Sequence, residues 1–221
     1  MFRNIEKFGV NKVNLVERDY KIMSEIERWR FCLSRHIKFL GGFDGQRACD
    51  KRLKLLIEAG YIGRKKVLYG VPSVYYLTHK GKALIGVNKR QDKIRIDRIP
   101  HDIAVVDTGI YFMLNHDIKL EEITTEKEIN SLAGFGNRKH QPDFIIEKDR
   151  VKKCVEIELT LKATARFKEI VEENYLAYDT QFWIVAKTGL KIKKLLEEFQ
   201  LSYSNIEIIK YEGVQEVVKL K

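Results

Sequence analysis

The 221-residue sequence predicts a two-domain α+β protein: a small helical module closed by a β-hairpin, then a larger α/β domain on a mixed sheet. Three observations lead there. Helix-period segments fill the first half and run into a hairpin signal, whereas helical and strand-like segments alternate after residue 100. Charge is divided unevenly: residues 1–100 hold 23 Lys and Arg against 10 Asp and Glu, and residues 101–221 hold 18 against 21. Between the halves, residues 88–99 are polar, highly charged and without a period. The boundaries are therefore drawn as 1–87, a linker over 88–99, and 100–221.

In the basic half, Leu15, Val16, Tyr20, Met23 and Ile26 recur at helical spacing after Asn14, the expected cap, predicting a helix over 16–29. Ser34 is the expected cap of a short helix over 34–39, which Gly41-Gly42 ends. A third helix, 46–59, stops at Gly60. Its Cys49, Leu53, Leu56 and Ile57 share one face, and Arg47, Lys51 and Lys54 the other. Strands over 61–69 and 74–78 flank a turn at Gly70-Val71-Pro72-Ser73, and 79–85 form a short helical turn. Three helices, the second short, followed by a hairpin is the order of a winged helix-turn-helix. There the third helix enters the major groove and the hairpin reaches backbone or minor groove. Arg47, Lys51 and Lys54, with Arg64, Lys65 and Lys66 of the wing, are the expected contacts to double-stranded DNA, phosphates foremost. A merely solvated basic face or a dimerisation wing is the competing reading.

The second half predicts a helix opening at Pro100-His101-Asp102, a strand over 119–124, a Gly-rich basic loop at 134–140, and a hairpin of strands 144–147 and 152–159. A helix over 163–178, an apolar strand over 181–186, a helix over 190–199 and a strand over 206–209 complete it. This order implies a mixed sheet flanked by helices, with Phe182 and Trp183 in its core.

Within it stand Pro142-Asp143 and Glu156-Ile157-Glu158. Strand period puts Glu156 and Glu158 on one face, and Asp143 starts the neighbouring strand, so the three carboxylates can meet at one sheet edge. Unrelieved, they repel and raise one another's pKa. Mg²⁺ (or Mn²⁺) relieves that repulsion and supplies hydrolytic chemistry on a phosphodiester. The alternative is that Glu156 and Glu158 line an ordinary solvent face. Glu126, beside Glu121, Glu122 and Glu128, is a further acidic candidate. His101 with Asp102 invites a catalytic pair, although Asp102 also complements a helix dipole. His140 with Arg138 and Lys139 could meet phosphate or simply be solvated.

The pair Pro142-Asp143, 13 residues before Glu156 and followed by the step to Glu158, resembles the PD-(D/E)XK nuclease superfamily and its restriction-endonuclease-like αβββαβ core. The resemblance implies that Asp143 and Glu156 are metal ligands and that Glu158 occupies the position usually held by lysine. That leaves Lys162 to reach back into the site or Glu158 to orient water. Over about residues 15–190 the chain is similar to the replication-relaxation family of plasmids and other mobile elements. The similarity rests on the N-terminal winged helix, Ile99-Pro100-His101-Asp102-Ile103-Ala104, Gln141-Pro142-Asp143-Phe144, Val155-Glu156-Ile157-Glu158-Leu159-Thr160 with Lys162, and Arg166-Phe167-Lys168. It implies DNA mobilisation or replication.

Composition sets the remaining bounds. At 44% hydrophobic and 33% charged residues, with 3 Pro, the chain is expected to fold. No apolar run approaches the roughly 18 residues of a membrane span. Cys32, Cys49 and Cys154 have neither even number nor metal spacing, so a reducing, cytoplasmic setting is expected. No P-loop, GxGxxG, GxSxG or Cys–His nucleophile motif is present. Two functions follow: a Mg-dependent DNA-nicking protein of a mobile element, or a non-catalytic winged-helix regulator or replication accessory factor, acting as a homodimer, with a degenerate nuclease-like domain. A protein-docking role for the second half is a third.

Overall fold

Apolar periodicity at the N-terminal end becomes three helices, α1 (Glu17–Arg28), α2 (Ser34–Leu40) and α3 (Gln46–Glu58). These belong to a computed structural model that describes residues 13–67, 69–87, 93–133, 140–160 and 164–219. The chain divides into two units, Met1–Lys93 and Ile94–Lys221.

Ile22, Met23 and Ile26 of α1, Ile37 and Leu40 of α2, and Cys49, Leu53 and Leu56 of α3 form the first unit's core. Strands β1 (Ile62–Lys65) and β2 (Val74–Leu77) pair antiparallel from Ile62↔Leu77 to Lys65↔Val74, and α4 (His79–Leu84) follows. Gly60 ends α3 at φ +78°, a conformation that costs a side-chain-bearing residue strain.

The helix starts differ from expectation. Val16, not Asn14, caps α1, and its amide donates to Asp19 Oδ2 at 2.8 Å. Leu33 caps α2, and its amide donates to His36 Nδ1 at 3.2 Å, so Ser34 is the first helical residue. In both, a side chain three residues on reaches back to an amide that the helix leaves unsatisfied. Asp19 also accepts from Arg52 Nε at 2.7 Å and from its terminal nitrogen, which joins α1 to α3. Lys82 of α4, 2% exposed, lies 3.1 Å from Glu27 of α1.

In the second unit a 3₁₀ turn (Ile96–Arg98) leads into α5 (Ile99–Asn115), so helix starts within the stretch expected to be linker, and Ile99 is fully buried. The strand expected at 119–124 is a 3₁₀ turn (Leu120–Glu122) and the short β3 (Ile123–Thr125), followed by an unanticipated helix α6 (Glu126–Ala133). Then come β4 (Phe144–Lys148), β5 (Val151–Glu158), α7 (Thr164–Ala177), β6 (Thr180–Val185), α8 (Leu190–Gln200), β7 (Ile206–Lys210) and a second unanticipated helix, α9 (Tyr211–Lys219).

The five strands lie in sequence order. β3, β4 and β5 pair antiparallel; β6 and β7 continue parallel to β5, their crossovers made by α7 and α8. Successive strand residues face opposite ways, so Phe182 meets Phe112 of α5 on one side, ring centroids 4.9 Å apart. Trp183 on the other side packs with Phe167, Ile170 and Val171 of α7 and with Ile192 and Leu196 of α8. The sheet is thus covered on both faces, and β5 is its middle strand.

Candidate functional site

Because β5 is covered on both sides, every residue from Cys154 to Glu158 is buried. Glu156 is 3% exposed and Glu158 2%, which removes the solvent-face reading of this strand. A buried carboxylate is costly unless something holds it.

Asp143 sits just ahead of β4. Phe144 pairs with Val155, and the Asp143 amide donates to the Val155 carbonyl at 3.1 Å, so Asp143 is tied to the same residue of β5 as its neighbour. Its Oδ2 accepts from the Ile157 amide at 2.8 Å. Its carbonyl accepts from the Glu126 amide at 2.9 Å, which hangs the start of α6 on the same residue. Glu128 stabilises that start, its Oε2 accepting from the Thr125 amide and hydroxyl, each at 2.8 Å.

Asp143 and Glu156 line a common cavity of about 780 Å³ with three further carboxylates: Glu126 of α6, and Glu169 and Glu173 of α7. Two histidines and two arginines share it, His101, His140, Arg98 and Arg166. The His140 Nε2 lies 2.6 Å from Glu156 Oε1, and the same oxygen accepts from Asn174 Nδ2 at 2.9 Å. His101 stands between two acids, Nδ1 3.3 Å from Asp102 Oδ1 and Nε2 3.3 Å from Asp143 Oδ1. Burial works against a charged His101. Hydrogen bonds to Asp102 and Asp143, and their negative charges, outweigh it and push its pKa up to about 10. Burial pushes Glu156 above the usual carboxylate range, helped by the nearby charge of Asp143 and opposed by His140 and Asn174.

Of the residues proposed for chemistry, Asp143 and Glu156 come together and Glu158 does not: it is not part of the cavity wall. Lys162, with Arg138 and Lys139, lies outside the described residues. Of the four neighbouring glutamates only Glu126 reaches the cavity; Glu122 accepts from the Lys119 amide instead. Among the described residues no three His, Cys, Asp or Glu side chains are grouped to hold a metal ion. Two carboxylates are nonetheless the number Mg²⁺ commonly takes from a protein, water filling the other positions. Asp143 is held through both oxygens, Oδ2 by the Ile157 amide and Oδ1 by His101, and Glu156 Oε1 is held by His140 and Asn174. Hydrogen bonds of this kind orient carboxylates, and two carboxylates are a donor set of the type a hard divalent cation takes.

Asn174, Glu169 and Glu173 escape a reading based on short motifs. Their signal is helical: 166, 169 and 173 recur on one side of α7, next to the apolar 167, 170 and 171 that face the core.

In the first unit Arg47, Lys51 and Lys54 are exposed on α3, and Arg64, Lys65 and Lys66 are exposed on the hairpin. Lys54 shares its charge with Glu58 at 3.8 Å, and the Arg64 guanidinium lies 5.9 Å from the Tyr75 ring centroid. No described helix is long and apolar enough to cross a membrane. No protein-family model matches the chain, no curated protein is significantly similar to it, and no solved structure matches it.

Proposed function

We propose that this chain is a DNA-binding protein of a plasmid or other mobile element, of replication-relaxation type, and that its C-terminal unit nicks or cleaves DNA with Mg²⁺ or Mn²⁺. The observation that carries the reading is the meeting of Asp143, just ahead of β4, and Glu156 of β5, 13 residues apart in sequence, in one cavity. The order α5, β3, β4, β5, α7, β6, with β5 and β6 parallel, supports a nuclease-like αβββαβ core into which α6 is inserted. In the first unit three helices followed by a hairpin support a winged helix, whose exposed Lys51 and neighbours would meet phosphates.

Asp143 and Glu156 would hold the cation. The Ile157 amide and the Asn174 side chain keep the two carboxylates turned into the cavity. When bound, such an ion lowers the pKa of a water and offsets charge growing on the phosphodiester. His101 lies 3.3 Å from Asp143 and His140 2.6 Å from Glu156, so both acids have a polar partner before the ion arrives. The test is conversion of supercoiled plasmid to nicked or linear form in Mg²⁺ or Mn²⁺. Cutting should stop in EDTA and in Asp143→Asn, which should still shift DNA in a gel. Plasmid left intact by the wild-type chain would overturn the catalytic part.

One observation favours a second reading, that of a DNA-binding regulator or replication accessory factor without turnover. Glu158 holds the position where lysine is usual and stands off the cavity wall, while histidines engage both acids. Under that reading the plasmid stays intact and DNA binding is indifferent to EDTA.

A further inference from the structure

We propose that Arg98 and Arg166 are phosphate contacts that seat a nucleic-acid backbone over the Asp143–Glu156 cavity; that the ligand is nucleic acid rests on the reading above. Both arginines line the cavity, Arg98 from the 3₁₀ turn that precedes α5 and Arg166 from the first turn of α7. Five carboxylates line the same space, yet neither guanidinium forms an ion pair or side-chain hydrogen bond with any described residue.

Other arginines of the chain behave differently where an acid is near. Arg52 grips Asp19 with two nitrogens, and Arg95, three residues before Arg98, lies 2.6 Å from Asp97. Two guanidiniums that share a cavity with carboxylates and close on none of the described ones have donors suited to an anion from outside. A guanidinium presents a planar fork of N–H groups that matches phosphate oxygens two at a time.

The cavity's own charge explains the need for them. A phosphodiester entering a space lined by five carboxylates is repelled, each unit-charge pair at 4 Å costing about 1 kcal/mol even in bulk water. Cations lining the cavity offset that repulsion without occupying the two acids. Placing them on separate elements suits a chain of repeated phosphates better than one isolated anion.

Salt dependence separates this role from a general loss of binding. Affinity for a labelled duplex is measured over a series of salt concentrations, once in Ca²⁺ and once in EDTA. Arg98→Ala and Arg166→Ala should each lower the slope of log K against log[salt] by about 0.9, while Arg98→Lys and Arg166→Lys should keep it. Both side chains are exposed, so none of these variants removes a core contact. Wild-type slope and affinity in both alanine variants, in both media, would overturn the assignment. If the wild-type chain binds no duplex, the DNA-binding reading falls as well. If it binds and loses affinity through Lys51→Glu but not through either arginine, only this assignment falls.

Discussion

Two buried acids of the N-terminal unit face cations: Asp19 meets Arg52, and Glu27 lies against the ammonium of Lys82. In the C-terminal unit Glu156 is held by an imidazole and an amide, and it looks into a cavity with four other carboxylates. The first arrangement joins helices, α1 to α3 and α1 to α4, and is complete as it stands. The second gathers carboxylates around open space, and burial, helped by the charge of Asp143, pushes Glu156 up in pKa, a pattern that concentrates at sites built for a ligand. The difference separates charge paired within a fold from charge gathered around an open cavity.

The largest expected effect lies in the first unit. Glu27→Ala takes a carboxylate from a 2%-exposed ammonium and should cost about 3 kcal/mol in urea denaturation, whereas Glu27→Leu with Lys82→Met should be near neutral. Equal losses from the single and double variants would break the idea of a matched pair. In the second unit the sign reverses. Glu156→Gln removes a charge that burial disfavours while keeping an amide for His140 and Asn174, so stability should rise by about 1 kcal/mol as activity is lost. A destabilised Gln variant would mean that Glu156 is structural in the same sense as Glu27.

Smaller effects sharpen the contrast on the proposed DNA-binding face. Lys51→Ala should reduce the salt slope of duplex binding by about 0.9, and Lys54→Ala by less, because Lys54 is already shared with Glu58. Tyr69→Ala, at a fully exposed position, should change stability by no more than about 0.5 kcal/mol in a thermal melt.

Periodicity made much of the fold legible: α1, α2, α3, β4, β5, α7, β6, α8 and β7 follow the apolar pattern closely. It missed α6 and α9, the first for physical reasons. α6 is acidic and short, and its start depends on a Glu128 cap and a bond to the Asp143 carbonyl, neither of which leaves an apolar stripe. α9 follows β7 without a break; its Tyr211, Val214 and Val218 do form a buried apolar stripe at helical spacing, and the Tyr211 hydroxyl donates to buried Asp107, far away in sequence. The caps at Asn14 and Ser34 were misplaced because Asp19 and His36, inside their helices, reach back to the preceding amides. At the site, spacing alone paired Asp143 with Glu156. Glu158 looked equivalent because a strand's period fixes which face a residue takes but not whether a cavity opens there. Asn174 and Arg98 become part of the site only through α7 and the 3₁₀ turn, which no local motif encodes.

The most direct test of the cation site is calorimetric titration of Mn²⁺ into the wild-type chain and into Asp143→Asn and Glu156→Gln, with thermal melts to show that each variant is folded. The wild-type chain should bind, and each variant should lose affinity by about tenfold or more. Wild-type affinity in both variants, or no Mn²⁺ binding by the wild-type chain, would contradict a cation site at Asp143 and Glu156.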